Sequence, residues 1–314
     1  MELNPATTAL IFPGQGSQTL GMGQSLTNAY PVARATFAQA DHFLGFPLSE
    51  IAWNGPEADL NDTINTQPAL LVHSVAALRV FWETFPGFIP AFVAGHSLGE
   101  LTALVANEVL PFEAVLSLTR RRGELMKQAG ERAPGGMVAL LGLGIPEVEA
   151  LCARASSGAE QVQIANDNCP GQVVVSGAGE ALRRLIPLAE QAGARKVVPL
   201  MVSIAAHSHL MAHAQAGFNQ AVEQAPLAEP KTTIIGNVTA RPLRRARDIE
   251  DDLKAQLTSR VRWTESVEYM LAQGVNTFIE IGTGDVLSSL IKRIDRSAGR
   301  ITLGKPEDFS ALLA

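Results

Sequence analysis

Cysteine, aromatic residues and charge are all scarce in this chain of 314 residues, and each scarcity excludes a class of protein. Two cysteines, Cys152 and Cys169, are too few for a disulfide scaffold or a four-cysteine zinc site, so we expect a reducing compartment. With 12 Phe, 3 Trp, 2 Tyr and a net charge of −6, the chain offers neither a base-stacking platform nor a basic surface, and no nucleic acid partner is expected. Hydrophobic residues make up 46%, which argues against disorder.

Long apolar runs are also missing. The best candidate for a membrane span, residues 69–82, is interrupted by His73, Ser74 and Arg79, so we expect no membrane association. The first residues lack the basic segment of a secretory signal, and the apolar run at 9–12 has the length of a strand. We therefore expect a cytoplasmic protein.

Short apolar runs alternate with longer helical patterns, which predicts an α/β fold with a largely parallel sheet. Outside the middle of the chain, we expect strands at 7–12, 91–94 and 277–281. We expect helices at 68–84, 98–106, 111–128, 208–224, 249–258, 264–272 and 286–294.

A break at 133–136 changes this rhythm. The following elements have the order β-α-β-β-α-β, which is the ferredoxin-like pattern, and we expect them at 137–141, 146–155, 161–165, 172–176, 180–192 and 196–200. The sequence thus predicts a small domain, residues 133–201, inserted into a large domain formed by residues 1–132 and 202–314.

The segment Gly95-His-Ser-Leu-Gly99 matches the pattern G-x-S-x-G and follows a predicted buried strand. In that context a sharp turn between strand and helix exposes the serine oxygen, so Ser97 is a candidate nucleophile. The helix that begins at Leu98 adds free backbone N–H groups, which favour a nearby oxyanion. The alternative is structural, because Ser97 followed by Glu100 also fits a helix capping box.

A nucleophilic serine requires a base, and six histidines are available. His42 and His73 fall in helical patterns, and His96 adjoins the serine, where neighbouring side chains diverge. The remaining candidates are His207, His209 and His213, and residue chemistry alone does not choose among them. Their spacing also suggests a metal site, but no cysteine or carboxylate within the cluster completes a ligand set, and we expect no metal.

The acid of a conventional triad is also doubtful. Asp167 is the only aspartate between Ser97 and His213, and it falls inside the predicted small domain. A serine–histidine dyad, oriented by a hydrogen-bond acceptor other than a carboxylate, fits better. The loop Phe12-Pro-Gly-Gln-Gly-Ser-Gln18 matches neither the dinucleotide fingerprint nor the P-loop, so it is either a simple glycine turn or a second source of oxyanion donors.

Taken together, these motifs resemble the malonyl-CoA:acyl carrier protein transacylase family. The resemblance extends over the whole chain, and its motifs are Phe12-Pro-Gly-Gln-Gly-Ser-Gln18, Gly95-His-Ser-Leu-Gly-Glu100, Arg122-Gly123 with Met126, Asn166-x-Asn168-x-Pro-Gly-Gln172, the histidine after Val202-Ser203, Gln256-Leu257 and Trp263-x-x-Ser-Val-Glu-Tyr-Met270. It implies an α/β-hydrolase-like large domain with a parallel sheet and an inserted ferredoxin-like small domain.

The resemblance also implies roles for individual residues. Ser97 would be acylated, His207 would be the base, and the backbone carbonyl of Gln256 would orient His207. Backbone N–H groups of Gln15 and Leu98 would form the oxyanion hole. Further substrate-binding positions are Arg122, which would bind the malonyl carboxylate, His96, Asn166 and Asn168.

Arg122 has a structural alternative, since it follows Arg120 and Arg121 and could be one more solvated charge on a helix. The chain departs from typical bacterial members at Ala205-Ala206, where they carry Pro-Ser, and at Leu101, where many carry tyrosine. These positions shape the pocket beside the acyl group.

The reaction implied is a ping-pong transfer from malonyl-CoA to the phosphopantetheine thiol of acyl carrier protein, in fatty-acid or polyketide synthesis, with coenzyme A thioester as substrate and no bound cofactor. A serine hydrolase or thioesterase built on the same nucleophile is the alternative. The arginines within 241–247 form one dense basic cluster, which we expect in a surface loop. That cluster could either dock an acidic carrier or be an ordinary solvated loop.

Overall fold

The computed structural model describes residues 3–202 and 204–313 of a mixed α/β chain. Its strands are β1 (Thr8–Phe12), β2 (Phe92–Gly95), β3 (Gly135–Leu141), β4 (Val162–Cys169), β5 (Gln172–Ala178), β6 (Lys196–Pro199), β7 (Thr233–Ile235), β8 (Pro242–Leu243), β9 (Val261–Arg262), β10 (Thr277–Ile281) and β11 (Gly299–Leu303).

Fourteen helices alternate with these strands in the described residues. They are α1 (Gln24–Ala29), α2 (Pro31–Leu44), α3 (Leu48–Asn54), α4 (Glu57–Asn61), α5 (Thr63–Thr84), α6 (Leu98–Ala106), α7 (Phe112–Arg132), α8 (Ile145–Ala155), α9 (Gly179–Gln191), α10 (Ala212–Glu223), α11 (Ala246–Gln256), α12 (Trp263–Ala272), α13 (Val286–Ile294) and α14 (Pro306–Leu313). No helix among them is both long and apolar enough to cross a membrane.

The larger sheet has the order β11-β10-β1-β2-β7-β8, and all its pairs are parallel except β7 with β8. Strand β1 lies at its centre and is buried along its whole length, because helices cover both faces of the sheet. The carboxyl ends of β1 and β2 lie side by side, with Phe12 paired to Gly95. The loop after β1 and the serine turn after β2 therefore meet at one sheet edge.

The second sheet has the order β6-β3-β5-β4-β9. Its first four strands are antiparallel and, with α8 and α9, confirm the predicted β-α-β-β-α-β order. Helices α8 and α9 cover one face, where a separate apolar core forms around Val138, Leu151 and Val175. The fifth strand, β9, comes from beyond residue 201 and pairs in parallel with the end of β4.

The small domain predicted for 133–201 thus has its own core, yet its sheet is completed by a strand from the large part of the chain. We propose the boundaries 1–132, 133–201 and 202–314 as predicted, with β9 serving both parts. Residues 1, 2, 203 and 314, which include Ser203 of the histidine motif, lie outside the described residues.

Helix α5 begins five residues earlier than predicted and continues through Pro68. Proline has no N–H to offer the carbonyl of Ile64, four residues before it. That carbonyl instead accepts a hydrogen bond from Nη1 of Arg120 on α7, at 3.2 Å. The sequence prediction failed here because the compensating donor comes from a distant helix.

Other predictions need correction. Strand β4 extends to Cys169 through two irregularities in its register. The helix expected from residue 208 divides into a short 3-10 helix, His209–Met211, and α10. The basic cluster at 241–247 is not a loop, since it contains β8 and the start of α11, although its arginines are exposed. The elements that were not predicted are α1 to α4, β7, β8, β9, β11 and α14, and all of them except α2, which has 14 residues, are eight residues long or shorter.

Candidate active site

Ser97 lies at the sharp turn between β2 and α6, as the G-x-S-x-G pattern predicted. Its φ of 53° is unusual for a residue other than glycine. A Cβ atom at Gly95 would overlap the backbone of Gly99, and one at Gly99 would overlap the carbonyl of Phe12. The two glycines are therefore required for strand, turn and helix to approach this closely.

The capping-box interpretation of Ser97 and Glu100 is wrong. The Ser97 side chain makes no hydrogen bond to the start of α6, and Glu100 is buried, where it accepts hydrogen bonds from Asn237 and Gln256. The hydroxyl of Ser97 instead contacts Nε2 of His207, with 2.8 Å between the two atoms. The serine therefore faces a potential base rather than its own helix.

Of the three histidines that the sequence left open, only His207 reaches the serine. Its Nδ1 lies 2.9 Å from the backbone carbonyl of Gln256 and 3.1 Å from that of Ser259, so the imidazole donates from Nδ1 and keeps the lone pair of Nε2 for the hydroxyl. Burial, followed by the positive charge of Arg122, lowers the pKa of His207 to about 3. The imidazole is thus neutral at physiological pH and able to accept a proton.

The remaining histidines and Asp167 take no part in this contact. His213 is exposed on α10, and His73 is buried in α5, where Nε2 lies 3.0 Å from the carbonyl of Gly304. Asp167 accepts a hydrogen bond from the hydroxyl of Thr264, at 2.6 Å. Backbone carbonyls occupy the place at Nδ1 that a triad carboxylate would take.

Arg122 projects from α7 into the site and is 1% exposed, so the interpretation as a solvated helix charge is wrong. Its Nη2 lies 3.1 Å from Oγ of Ser97 and 2.9 Å from Oε1 of Gln256, and its Nη1 lies 2.7 Å from Oε1 of Gln67. Burial lowers the pKa of Arg122 to about 10, which leaves the guanidinium charged at neutral pH. All three partners are neutral, so the cation is available to an anionic ligand beside the serine.

The two residues expected to form the oxyanion hole, Gln15 and Leu98, lie in different loops and elements near Ser97. Leu98 is the first residue of α6, where backbone N–H groups have no partner within the helix. Gln15 lies in the loop after β1 and lines the same cavity as Ser97. In the described part of the chain, no acceptor pairs with the backbone N–H of either residue. The N–H of Ser97 itself is used, because it donates to Oδ1 of Asn237 at 2.7 Å.

His96 diverges from Ser97, as expected for neighbours on a strained turn. Its Nε2 lies 2.9 Å from Oδ1 of Asn168, its ring meets the edge of Trp263, and burial lowers the pKa of the imidazole. Asn166, on β4, lines the cavity directly, whereas Asn168 reaches it through His96. Together with Arg122, the structure thus places the predicted substrate-binding residues His96 and Asn166 around the cavity, with Asn168 one step removed.

A cavity of about 920 Å³ opens in front of Ser97. Residues of the predicted large domain, including Arg122 and His207, line one side, and Met137 and Asn166 of the small domain line the other. Ala206 also lines it, whereas Leu101 is wholly buried in the core behind. The volume accommodates a drug-sized or larger ligand.

Sequence reasoning missed two residues that organise the site. Asn237, just after β7, accepts from the N–H of Ser97 and donates to the carbonyl of Gly95, both at 2.7 Å, and so bridges the two ends of the turn. Gln67 on α5 holds the guanidinium of Arg122. Neither has a local sequence signal, because each acts on a residue that is far away along the chain.

This arrangement, a serine on a strand-to-helix turn with a histidine held by backbone carbonyls, is that of a serine-dependent acyl transfer enzyme. Residues 9–302 match the model of the acyl transferase domain family, and the chain belongs to that family. This confirms the resemblance read from the motifs.

Similar proteins within this family include malonyl transacylases. The chain is 41% identical over 304 residues, 97% of each protein, to a malonyl CoA-acyl carrier protein transacylase from Haemophilus influenzae. The structure of such a transacylase from Coxiella burnetii superposes with a TM-score of 0.94 at 38% identity, covering 98% of this chain and 97% of the other. A type II PKS acyl-carrier protein in complex with its malonyl-transacylase gives a TM-score of 0.94 at 39% identity, with 98% of each chain covered.

Proposed function

We propose that this chain transfers the malonyl group from malonyl-CoA to the phosphopantetheine thiol of acyl carrier protein, and so supplies fatty-acid or polyketide synthesis. One observation carries the proposal. The buried guanidinium of Arg122 lies 3.1 Å from the hydroxyl of Ser97, which itself contacts His207. Among the described residues no carboxylate forms an ion pair with Arg122, and a nucleophile beside such a cation suits an acyl group that bears its own carboxylate.

In the first half-reaction, Nε2 of His207 removes the proton from Ser97 as Oγ attacks the thioester carbonyl of malonyl-CoA. The negative charge that develops on the carbonyl oxygen is stabilised by the backbone N–H groups of Gln15 and Leu98. The tetrahedral intermediate collapses, the C–S bond breaks, and the proton held by His207 passes to the CoA thiolate. The products are malonyl-Ser97 and free CoA.

In the second half-reaction, His207 accepts the proton of the carrier's phosphopantetheine thiol, and the sulfur attacks the malonyl ester. Breaking the C–O bond returns the proton to Oγ of Ser97, and malonyl carrier protein leaves. Every proton and electron pair is accounted for by Ser97, His207 and the two thiols. We therefore propose that the reaction uses no bound cofactor, and that coenzyme A enters only as the substrate thioester.

Arg122 binds the free carboxylate of the malonyl group in this scheme. Gln67 and Gln256 fix the guanidinium so that its fork faces the acyl pocket. An acetyl group leaves that cation unpaired, and the loss of a buried charged hydrogen bond costs about 2–5 kcal/mol. His96 and Asn166 line the pocket, and Asn168 orients His96. The cytoplasmic location expected from the sequence stays a prediction.

Labelling with radioactive malonyl-CoA tests the nucleophile. The wild-type chain should form an acid-stable malonyl-enzyme that discharges to added holo carrier protein, and Ser97→Ala should form none. Labelled Ser97→Ala protein would refute the assignment. Rapid hydrolysis of the wild-type intermediate, unaffected by the carrier, would identify a hydrolase or thioesterase instead.

A further inference from the structure

A group of four buried polar residues lies behind the serine, and only Gln256 among them takes part in the scheme above. Glu100, Asn237, Asp252 and Gln256 are each 5% exposed or less. They come from three parts of the chain: Glu100 from α6, Asn237 from the segment after β7, and both Asp252 and Gln256 from α11. Burying a polar group costs free energy unless the group is hydrogen-bonded. The hydrogen bonds of these four residues therefore indicate their structural roles.

Glu100 stands at the centre of this group. One carboxyl oxygen accepts from the backbone N–H of Asn237 at 3.1 Å, and the other accepts from the side-chain amide of Gln256. Each donor in turn holds part of the active site. Asn237 bridges the serine turn, and the backbone carbonyl of Gln256 accepts from His207.

The contact with Glu100 also decides which way the Gln256 amide faces. Its Nε2 donates to Glu100 and to the carbonyl of Ser97, which leaves Oε1 directed at the guanidinium of Arg122. If the amide were reversed, its NH₂ group would face the Arg122 donors and repel them. The acceptor that Glu100 provides therefore fixes the partner of the malonyl-binding cation.

Asp252 completes the group. Its carboxyl lies within hydrogen-bonding reach of the carboxyl of Glu100, and burial raises the pKa of both. One oxygen of Asp252 accepts from the N–H of Val238, at 3.3 Å, and the other has no hydrogen-bond donor among the described residues. Two buried carboxyls in contact are stable when they share one proton, and the oxygen of Asp252 that lacks a donor would accept it from Glu100, whose pKa burial and the neighbouring Asp252 raise.

We propose that Glu100, which shares a proton with Asp252, is a positioning residue for transacylation that sets Ser97, His207 and Arg122 in one geometry through Asn237 and Gln256. The inference rests on the proposed function. A carboxyl presents an accepting oxygen to both donors whether or not it is protonated, whereas an amide presents only one. The carboxyl chemistry at position 100 is thus essential.

Two isosteric variants separate this role from simple space filling. Glu100→Gln leaves one negative charge on Asp252, and Asp252→Asn leaves one on Glu100, so both variants keep the net charge of the pair. In Glu100→Gln, either Asn237 or Gln256 loses its acceptor. In Asp252→Asn, the new amide can donate to an ionised Glu100, which still accepts from both.

The experiment measures kcat/KM for malonyl-CoA and acetyl-CoA with holo carrier protein. Glu100→Gln should lower kcat/KM for malonyl-CoA about 10- to 100-fold and reduce the malonyl-to-acetyl ratio, because Arg122 loses its fixed partner. Asp252→Asn should lose less than about threefold. Values for Glu100→Gln within threefold of wild type on both measures would overturn the proposal, and so would an equal loss in both variants.

Glu280→Gln is the matched control. Glu280 is also fully buried and accepts hydrogen bonds from the backbone N–H groups of Leu287 and Ser288. It lies on β10 and, among the described residues, forms no hydrogen bond with the site. It should lower thermal stability yet keep the malonyl-to-acetyl ratio of wild type. A change of that ratio in Glu280→Gln would show that any buried carboxyl alters it, and would overturn the special role of Glu100.

Infrared difference spectra keep the test decisive if Glu100→Gln does not fold. Wild type minus Asp252→Asn should contain the C=O band of a protonated carboxyl at neutral pH, and absence of that band would refute the shared proton. Failure of the proposed function is distinguishable, because the wild-type protein itself would then transfer no malonyl group.

Discussion

The guanidinium of Arg122 is the buried charge that we propose selects the substrate. Two glutamines and a serine hold it with neutral acceptors. Burial lowers its pKa and the charge of Glu100 raises it in part, although no carboxylate among the described residues forms an ion pair with it. A buried cation without such a partner is costly. The cost is offset when a ligand supplies a carboxylate. Under this proposal, the carboxylate of the substrate supplies the negative charge that Arg122 lacks.

Replacing Arg122 by alanine tests this at the scale of the residue. We expect kcat/KM for malonyl-CoA to fall about 30-fold or more, because a buried charge pair truncated on one side loses about 2–5 kcal/mol. Acetyl transfer should fall far less, since acetyl makes no contact with the guanidinium. Steady-state assays with both thioesters check this.

The matched control is Arg121→Ala, since Arg121 lies next in sequence on the same helix but its side chain is 48% exposed. It should retain both activities. Equal losses for malonyl and acetyl in Arg122→Ala would show that Arg122 is not the carboxylate ligand.

At the scale of elements, the close approach of α6 to β1 places the nucleophile. The sheet edge brings Gly99 against the carbonyl of Phe12, with no room for a side chain between helix and strand. This close contact holds the start of α6 against the sheet, where the backbone N–H of Leu98 follows Ser97 and has no acceptor among the described residues.

Gly99→Ala should therefore displace the start of α6. We expect a loss of about 2 kcal/mol in the free energy of unfolding, because overpacking in a dense interior costs about 1–3 kcal/mol, together with a marked fall in kcat. Urea denaturation and malonyl transfer assays measure the two effects.

Gly179→Ala provides the comparison. Gly179 begins α9, its φ is unstrained, and a Cβ atom there would meet nothing within 4 Å. Alanine should be neutral or slightly stabilising at that position. If Gly99→Ala behaved in the same way, the close packing of α6 on β1 would not be what places the serine.

At the scale of the whole molecule, buried histidines couple folding to pH. His73 on α5 is hydrogen-bonded to Gly304 near the carboxyl end of the chain, and burial lowers its pKa from 6.5 to about 4. Below pH 6.5 the imidazole of His73 binds a proton in the unfolded chain, whereas in the folded chain it binds one only below about pH 4. Protonation therefore favours unfolding as the pH falls through this window.

The expected contribution of His73 is about 2 kcal/mol at pH 5. Wild type should lose about that much more stability than His73→Gln between pH 7.5 and pH 5, measured by urea unfolding. The exposed His42 offers a control, and His42→Gln should follow wild type. A wild-type curve parallel to that of His73→Gln would contradict the assignment.

The sequence predicted the α/β class, the inserted β-α-β-β-α-β unit and the serine turn because each rests on local rules. Strands and helices differ in hydrophobic period, and only glycine fits where Gly95 and Gly99 pack against backbone. The resemblance to a family also named His207 and Gln256, whereas residue chemistry alone left three histidines open.

Tertiary structure alone decided the rest. Pro68 lies inside α5 because Arg120 supplies the missing donor, and β9 completes the small sheet from another part of the chain. Asn237 and Gln67 act on Ser97 and Arg122 from far along the sequence. Contacts of this kind depend on which surfaces meet after folding, and a single sequence carries no local pattern for them.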